Sequence, residues 1–424
     1  MNFKSNQRLE HGSPRAGPLL GAPSNPWLHR YAVFTALATL ALIGIGGLVT
    51  SRGVGMAVPD WPNSFGYNMF LFPPSKWVGG IFYEHTHRLV ASVVGLLVVG
   101  LTRWLGGWRS RLPMALIGLL EVIAGLVLLR LGPDWNGAGH FLSGIGGVVL
   151  LVAAIWARNE PAQRPLPQLG WLAFGAVQLQ GLLGGLRVVL STDEIGFLHA
   201  LLAQLFFVLV CVIALFTSAW WQRKGQRSEV RDQRSDGRAL GGLRWLVGGT
   251  TLLILAQLVL GAAMRHQHAG LAIPDFPLAY GKIWPETHKA AVERYNRDRM
   301  EITAVKPITA SQIQLQMAHR LVAIAILAAV GIVLWRNRGK RYLNRLGLVW
   351  FGLIAAQALL GAATIWSDKA ADVATAHVLL GALSLAVGAI LSIISFGELA
   401  VKREDSRTAE VALPCPAFET GVKS

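Results

Sequence analysis

Apolar residues occur in ten long blocks along the chain, and polar or charged segments separate these blocks. Each block is about 20 residues long, the length that an α-helix needs to cross the roughly 30 Å hydrocarbon core of a bilayer. The blocks lie at 31–50, 84–104, 112–131, 139–157, 168–190, 196–221, 243–264, 313–335, 345–366 and 373–397. The pattern predicts an all-α polytopic membrane protein with about ten transmembrane helices.

The positions of Lys and Arg predict how these helices are oriented. The termini and the loops on their side of the membrane carry 25 Lys and Arg residues, and the opposite side carries 12, seven of them in the long loop 265–312. Loops rich in Lys and Arg stay in the cytoplasm, so we expect both termini there. The N-terminal tail contains no convincing amphipathic helix, which favours a cell (cytoplasmic) membrane over the mitochondrial inner membrane.

The composition agrees with a membrane protein. Residues of the set AVILMFWYC make up 53% of the 424 residues, and charged residues only 15%, against about 25% in soluble domains. The net charge of +16 does not indicate nucleic-acid binding, because the basic residues lie between the apolar blocks. The two cysteines are too few for a disulfide framework, a zinc cluster or a four-Cys iron–sulfur site.

The chain contains an internal repeat. Four segments of the first half recur in the same order in the second half, and the pairs are 53–66 with 268–281, 87–91 with 319–323, 180–185 with 357–362, and 199–202 with 377–380. Each half therefore predicts a four-helix bundle, and the two bundles would be related by a pseudo-two-fold axis along the membrane normal. Residues 112–157 have no counterpart and read as an inserted helical hairpin.

The repeat divides the chain into units. We expect an N-terminal half at 31–221 and a C-terminal half at 243–397, joined by a cytoplasmic linker at 222–242. The flanking segments 1–30 and 398–424 are rich in Pro, Ser and charged residues, which is typical of disordered tails.

Four histidines recur as two pairs, His87 with His199 and His319 with His377. Ionisable residues inside a membrane are costly and usually mark function. Two neutral imidazoles on neighbouring helices at one depth can bind a haem iron on both faces. A lone interfacial histidine is more often a hydrogen-bonded polar group, but four at equivalent depths favour haem ligation.

Other polar residues near these pairs are candidates for supporting roles. Arg88 and Arg320 directly follow two of the histidines, and an arginine at that level can pair with a haem propionate. His85 points about 100° away from His87 on a helix and is at best a supporting residue. His140, which has no partner, is interpreted as a hydrogen-bonded polar group and not as a ligand.

Glu84 precedes His87 by three residues and therefore shares its helix face. Its counterpart in the second half is Gln316, which keeps the shape and loses the charge. Glu84 is then either a capping residue near the helix start or a proton acceptor beside a reacting haem. The paired turns around Asp60 and Asp275 are interpreted mainly as lids over the two sites.

Together these motifs resemble the haem A synthase family. The resemblance rests on the Glu84-x-x-His87-Arg88 pattern, the repeated Gln–Gly segments, the loop 268–281 and the four spaced histidines, and it covers about 31–104 and 168–397. Members of this family fold as two four-helix halves and oxidise the C8 methyl group of haem O to the formyl group of haem A, for cytochrome oxidase biogenesis.

The resemblance implies that the two halves of the protein bind different haems. The first half, with the catalytic candidates Glu84, His87 and His199, would bind the substrate haem O. The second half, with His319 and His377, would hold a haem b that passes electrons. Implied partners are the lipid bilayer, a haem O synthase and an electron donor, and a homo-oligomer is left open.

The chain departs from the family in two ways. Many bacterial relatives carry a Cys pair in the first outer loop, whereas 51–83 contains none and Ser64 stands where a Cys is expected, so a thiol-dependent role for this loop is not expected. The inserted hairpin raises the number of helices from eight to ten.

Two other functions compete with the enzyme. A non-enzymatic di-haem cytochrome would move electrons without altering its haems, but two equivalent electron-transfer haems need no difference between Glu84 and Gln316. A transporter with parallel repeats would need helix breaks at mid-membrane, which the sequence lacks.

Overall fold

A computed structural model describes residues 25–155, 159–228, 237–300, 307–336, 338 and 341–411. The helices in this part of the chain are α1 Pro26–Ser51, α2 Gly79–Gly106, α3 Arg111–Leu131, α4 Asn136–Ile155, α5 Leu166–Leu190, α6 Asp193–Thr217, α7 Ala219–Ser228, α8 Gly237–His266, α9 Lys289–Met300, α10 Ala310–Arg336, α11 Arg341–Trp366 and α12 Ala371–Val411. No β-strand is assigned within these residues, where only two isolated bridges occur.

Nine helical segments of the described part are long and apolar enough to cross a membrane. One of them, Gly79–Leu131, is 53 residues long and contains both α2 and α3. A 3₁₀ turn at Gly107–Ser110 separates these two helices. Gly107 is required at this turn because its φ is +55° and a Cβ would lie 2.4 Å from the backbone nitrogen of Pro161. The prediction of an all-α polytopic membrane protein is confirmed.

The structure corrects three predicted boundaries. The block 196–221 ends as a helix at Thr217, because Ser218 adopts an extended conformation and its hydroxyl accepts from Trp221 N to start α7. Helix α12 continues to Val411, so residues 398–411 are helical where a disordered tail was predicted. Helix α1 starts within the other predicted tail, at Pro26, where the Asn25 side chain accepts from two backbone N–H groups. Residues 1–24 and 412–424 lie outside the described residues.

The helices pack as two four-membered groups. In the first group α1 packs on α2 and α6, and α5 packs on the same two helices. In the second group α8 packs on α10 and α12, and α11 packs on these two as well. The groups meet where α1 packs on α12, α6 on α12 and α6 on α8. A pseudo-two-fold axis between α6 and α12 would produce this set of neighbours, and the axis itself stays a prediction.

The inserted hairpin of α3 and α4 is held together by glycines. A Cβ on Gly118 would lie 2.8 Å from the carbonyl oxygen of Gly146, and a Cβ on Gly125 would lie 2.6 Å from that of Gly139. Small residues let two membrane helices approach this closely. The hairpin packs beside the first group through a buried cluster of Val99, Met114, Val149, Val152, Ala153 and Phe174.

Candidate functional site: two histidine pairs

Each of the four repeated histidines lies within the first three turns of its helix, on α2, α6, α10 and α12. These helices start at the same end of the bundle, because the end of α1 contacts the start of α12 and the end of α8, and the start of α6 also contacts the end of α8. All four side chains are partly buried. The predicted common depth therefore holds in the structure.

The structure brings the histidines together in the predicted pairs. The ring centroids of His319 and His377 are 6.5 Å apart, with their planes at 61°. Two imidazoles that bind one metal ion through bonds of about 2 Å have centroids about 6 Å apart. In the first half, His87 on α2 and His199 on α6 lie on helices that both pack on α1 and α5, and the two imidazoles are close enough to interact electrostatically.

A glycine on the preceding helix of the bundle faces each histidine. A Cβ on Gly46 would lie 2.9 Å from Cε1 of His87, and the corresponding distance from Gly361 to His377 would be 3.2 Å. Gly184 faces His199 and Gly261 faces His319 in the same way, each with a distance of 3.3 Å. A methyl group at these positions would press on the imidazole, so the four glycines leave room for the four rings.

The two nitrogens of each ring differ in their burial. Nδ1 of His87, His199, His319 and His377 is buried, and the rings of His199 and His377 lie near the backbone of Gln180 and Gln357. None of the four Nε2 atoms belongs to the buried, unpartnered atoms of the described residues. Nε2 is therefore the nitrogen of each ring that would bind a shared metal ion. The donor set fits a haem iron with two axial imidazoles.

Glutamines fix the backbone of two of these histidines. Gln180 Nε2 donates to the carbonyl oxygen of His199 over 3.1 Å, and Gln257 Nε2 donates to that of His319 over 2.9 Å. Each glutamine precedes the contacting glycine by four residues, so both residues lie on one face of the helix. On α1 the residue four positions before Gly46 is Leu42, which has no amide group to donate to the carbonyl oxygen of His87.

Gly46→Ala is expected to weaken haem binding at the first pair several-fold, because the new methyl group would lie 2.9 Å from the His87 ring. Alanine is the better helix former by up to about 1 kcal/mol, so a weaker helix cannot explain such a loss. The measurement is a haem titration of the purified protein. Gly95→Ala is the matched control, since nothing lies within 4 Å of its Cβ position. Equal effects of the two variants would contradict the contact argument.

Glu84 and Arg88 connect α2 to the first outer loop. Glu84 Oε2 accepts from Val58 N over 2.8 Å, and Oε1 accepts from Arg88 Nη2 over 2.8 Å. Arg88 also donates to the carbonyl oxygens of Val58, Asp60 and Asn63. Both side chains are buried. Together they hold the loop against the end of the helix that carries His87.

The second half repeats these contacts with a neutral residue. Gln316 Oε1 accepts from Ile273 N over 2.7 Å, and Arg320 donates to the carbonyl oxygens of Asp275 and Leu278. The loops themselves also match, because Asp60 accepts from the backbone N–H groups of residues 65 and 66, and Asp275 from those of residues 280 and 281. The two loops predicted as lids therefore have equivalent internal hydrogen bonds and equivalent attachments to the helices that carry His87 and His319.

These contacts show what the residues around the first histidine pair hold in place. All four terminal N–H groups of Arg88 donate to loop carbonyls and to Glu84, whereas Arg320 donates one hydrogen bond from each terminal nitrogen to a loop carbonyl, and the pairing of these arginines with a haem propionate stays a prediction. Glu84 does not cap a helix start, since it lies in the second turn of α2 and pairs with a loop amide. His85 supports the same loop, because its Nδ1 bonds Ser64 Oγ and its ring packs between Phe72 and Trp77.

Comparison with known proteins identifies the family. The profile of the COX15-CtaA family, described as cytochrome oxidase assembly protein, matches residues 139–388, which is more than half of the chain. The chain belongs to this family. The COX15-CtaA match includes three of the four paired histidines, and His87 precedes it.

Individual relatives extend the similarity beyond that match. A protein of Brucella ovis named "Heme A synthase" is 26% identical over 347 residues, which are 80% of this chain and 82% of the relative. A protein of the same name from Brucella suis has the same values. A third, from Shouchella clausii, is 34% identical over 124 residues, or 29% of this chain and 38% of that protein.

Proposed function

We propose that the protein acts in haem A biosynthesis for cytochrome oxidase, as a haem A synthase-like oxidoreductase that converts the C8 methyl group of haem O to a formyl group. The observation that carries this proposal is the presence of two similarly built histidine pairs, of which only one lies beside a carboxylate. The names of the curated relatives and the membership of the COX15-CtaA family support it.

In the second half, His319 and His377 would hold a haem b through their Nε2 atoms. When bound, this group supplies one-electron transfer, which the oxidation of a methyl group needs. Gly261 and Gly361 leave the rings free to meet the iron, and Gln257 fixes the backbone of His319. The neutral Gln316 holds the loop in place without adding a charge near this haem.

In the first half, His87 and His199 would orient the substrate haem O. Oxidation of its methyl group releases protons, and Glu84 is the carboxylate one helical turn from His87. In this role the Glu84 carboxylate takes up a proton or stabilises developing charge, which Gln316 at the equivalent place does not do. The loop that Glu84 and Arg88 fasten to α2 would exclude water from this end of the site.

The protein is a multi-pass membrane protein, and we propose the cell membrane as its location, with both termini in the cytoplasm. The excess of Lys and Arg on that side supports this orientation. The histidine pairs then lie toward the outer leaflet. Haem O would come from a haem O synthase, and electrons from a separate donor.

Haem extraction and mass analysis of the purified full chain test the proposed function. We expect haem b together with haem O, haem A or a hydroxylated species between them. Haem b alone, in cells that make haem O, would contradict the enzyme and favour the di-haem cytochrome. The absence of any haem would contradict both functions.

A further inference from the structure

Three basic residues form a cluster at the histidine end of the bundle. Arg187 lies in the last turn of α5, Arg265 lies in the last turn of α8, and Lys369 lies in the turn between α11 and α12. Gly196 contacts both Arg187 and His266, the residue after Arg265, and Gly270 in the loop after α8 contacts Lys369. Arg265 is close enough to interact electrostatically with Arg187 and with Lys369. We call these three residues the cationic cluster.

Arg187 is closely surrounded but has no hydrogen-bond acceptor. A Cβ on Gly55 of the first outer loop would lie 3.0 Å from Nη2 of Arg187, and a Cβ on Gly196 of α6 would lie 2.9 Å from its Nε. The two glycines therefore make room for the guanidinium group. Within the described residues no carbonyl, hydroxyl or carboxylate accepts a hydrogen bond from Arg187. A partly buried guanidinium normally has such partners.

The cationic cluster lies beside the first histidine pair. Arg187 follows Gly184, which contacts the His199 ring, by three residues, and it contacts Gly196, which precedes His199 by three residues on α6. Arg265 reaches across from the second half and donates from Nη2 to Gly47 O over 2.9 Å and to Ser51 Oγ over 2.6 Å. Gly47 follows Gly46, the residue that contacts the His87 ring. The cluster and the first pair thus share one stretch of α1.

The protein balances the charge of the cationic cluster only in part. Burial lowers the pKa of Lys369 below its ordinary value, and Arg265 lowers it further, whereas Asp368 acts in the opposite direction. Among the described residues no carboxylate forms an ion pair with Arg187 or Arg265. Like charges held together at the edge of a membrane are costly unless an anion joins them. The geometry therefore provides a place for an anionic ligand.

We propose that Arg187, flanked by Arg265 and Lys369, binds a carboxylate side chain of the haem held between His87 and His199. This inference rests on the proposed function. A haem carries its carboxylates at one edge of the macrocycle, and a guanidinium with free N–H groups binds a carboxylate through two parallel hydrogen bonds. Arg88 has no terminal N–H group left for this task, because all four donate to the loop or to Glu84.

A titration with haem b and its dimethyl ester tests the proposal, since esterification masks the carboxylates and leaves the iron unchanged. The full chain is purified from haem-deficient cells, and uptake at the first pair is taken as the part that His199→Ala abolishes. We expect the free acid to bind there about tenfold or more tightly than the ester. Arg187→Gln should remove most of this preference by weakening the acid alone, and Arg187→Lys should retain part of it.

Arg130→Gln is the matched control, because Arg130 is an exposed arginine in the last turn of α3 at the same end of the bundle. It should leave the preference for the acid unchanged. Equal binding of acid and ester by the unmodified chain would overturn the carboxylate site and leave haem binding intact. If lipid phosphate then co-purified with the chain and was lost in Arg187→Gln, the cluster would be a lipid site instead. No His199-dependent uptake of either compound would refute the proposed function itself.

Discussion

His377→Ala is expected to abolish the low-spin haem b spectrum of the second half and to leave the protein inserted in the membrane. The variant removes one of two axial imidazoles, and the ring of His319, whose centroid is 6.5 Å from that of His377, remains without its partner. One imidazole contributes little to a bundle whose second core is formed by residues such as Trp350, Val330 and Ile354. The reduced-minus-oxidised spectrum and the yield of folded protein check this result.

The control for this prediction is His140→Ala. His140 lies in α4 of the inserted hairpin, is exposed, and belongs to neither histidine pair. Its replacement should change neither the spectrum nor the yield. His319→Ala should reproduce the effect of His377→Ala, because either ligand is needed for six-coordinate iron. An unchanged haem b spectrum in both single variants would refute the assignment of this pair.

The pattern of apolar blocks was sufficient to predict most of the membrane helices. Long apolar runs predict membrane helices because each backbone polar group must be satisfied within its own segment. The helix boundaries were harder to predict from the sequence. The break at Ser218 depends on a hydroxyl that starts α7, and hydropathy does not reveal it. The continuation of α12 to Val411 was missed because its last turns are as polar as a disordered tail.

The histidine pairs could be predicted because the repeat placed equivalent residues at equivalent depths. Two of the glycines that contact the imidazoles could also be noticed in the sequence, since Gly184 and Gly361 lie in the repeated segments 180–185 and 357–362. Their role was missed because sequence spacing does not say which ring a glycine faces. A glycine contacts an imidazole only because two helices pack closely, as α1 does on α2 and α11 on α12.

The arginines show why side-chain partners were harder to predict than helices. Arg88 and Arg320 are adjacent to histidines in the sequence, which suggested a common ligand. Successive residues on a helix point about 100° apart, and this rotation directs both arginines to the loops above. Arg187 and Arg265 come from separate helices, and only the packing of the two halves brings them to one place.

Glu84→Gln is expected to retain both haem sites and to lose most of the conversion of haem O to haem A. Glutamine keeps an oxygen that can accept from Val58 N, as Gln316 does from Ile273 N, so the loop stays attached. The lost ion pair with Arg88 is tolerable because Arg320 is held by loop carbonyls without a carboxylate. What disappears is the charge and the proton acceptor near His87. Haem O or a hydroxylated intermediate should accumulate in the cells, as measured by mass analysis of extracted haem.

Asp60→Ala separates the charge of Glu84 from the attachment of the loop. It removes the acceptor for the N–H groups of Phe65 and Gly66 and leaves the Glu84 carboxylate in place, so it should loosen the loop and retain most haem A production. If Asp60→Ala lost as much haem A as Glu84→Gln, the loop and not the charge would be responsible. Near-normal haem A in Glu84→Gln would refute the role of the carboxylate and leave Glu84 as the residue that fastens the first loop to α2.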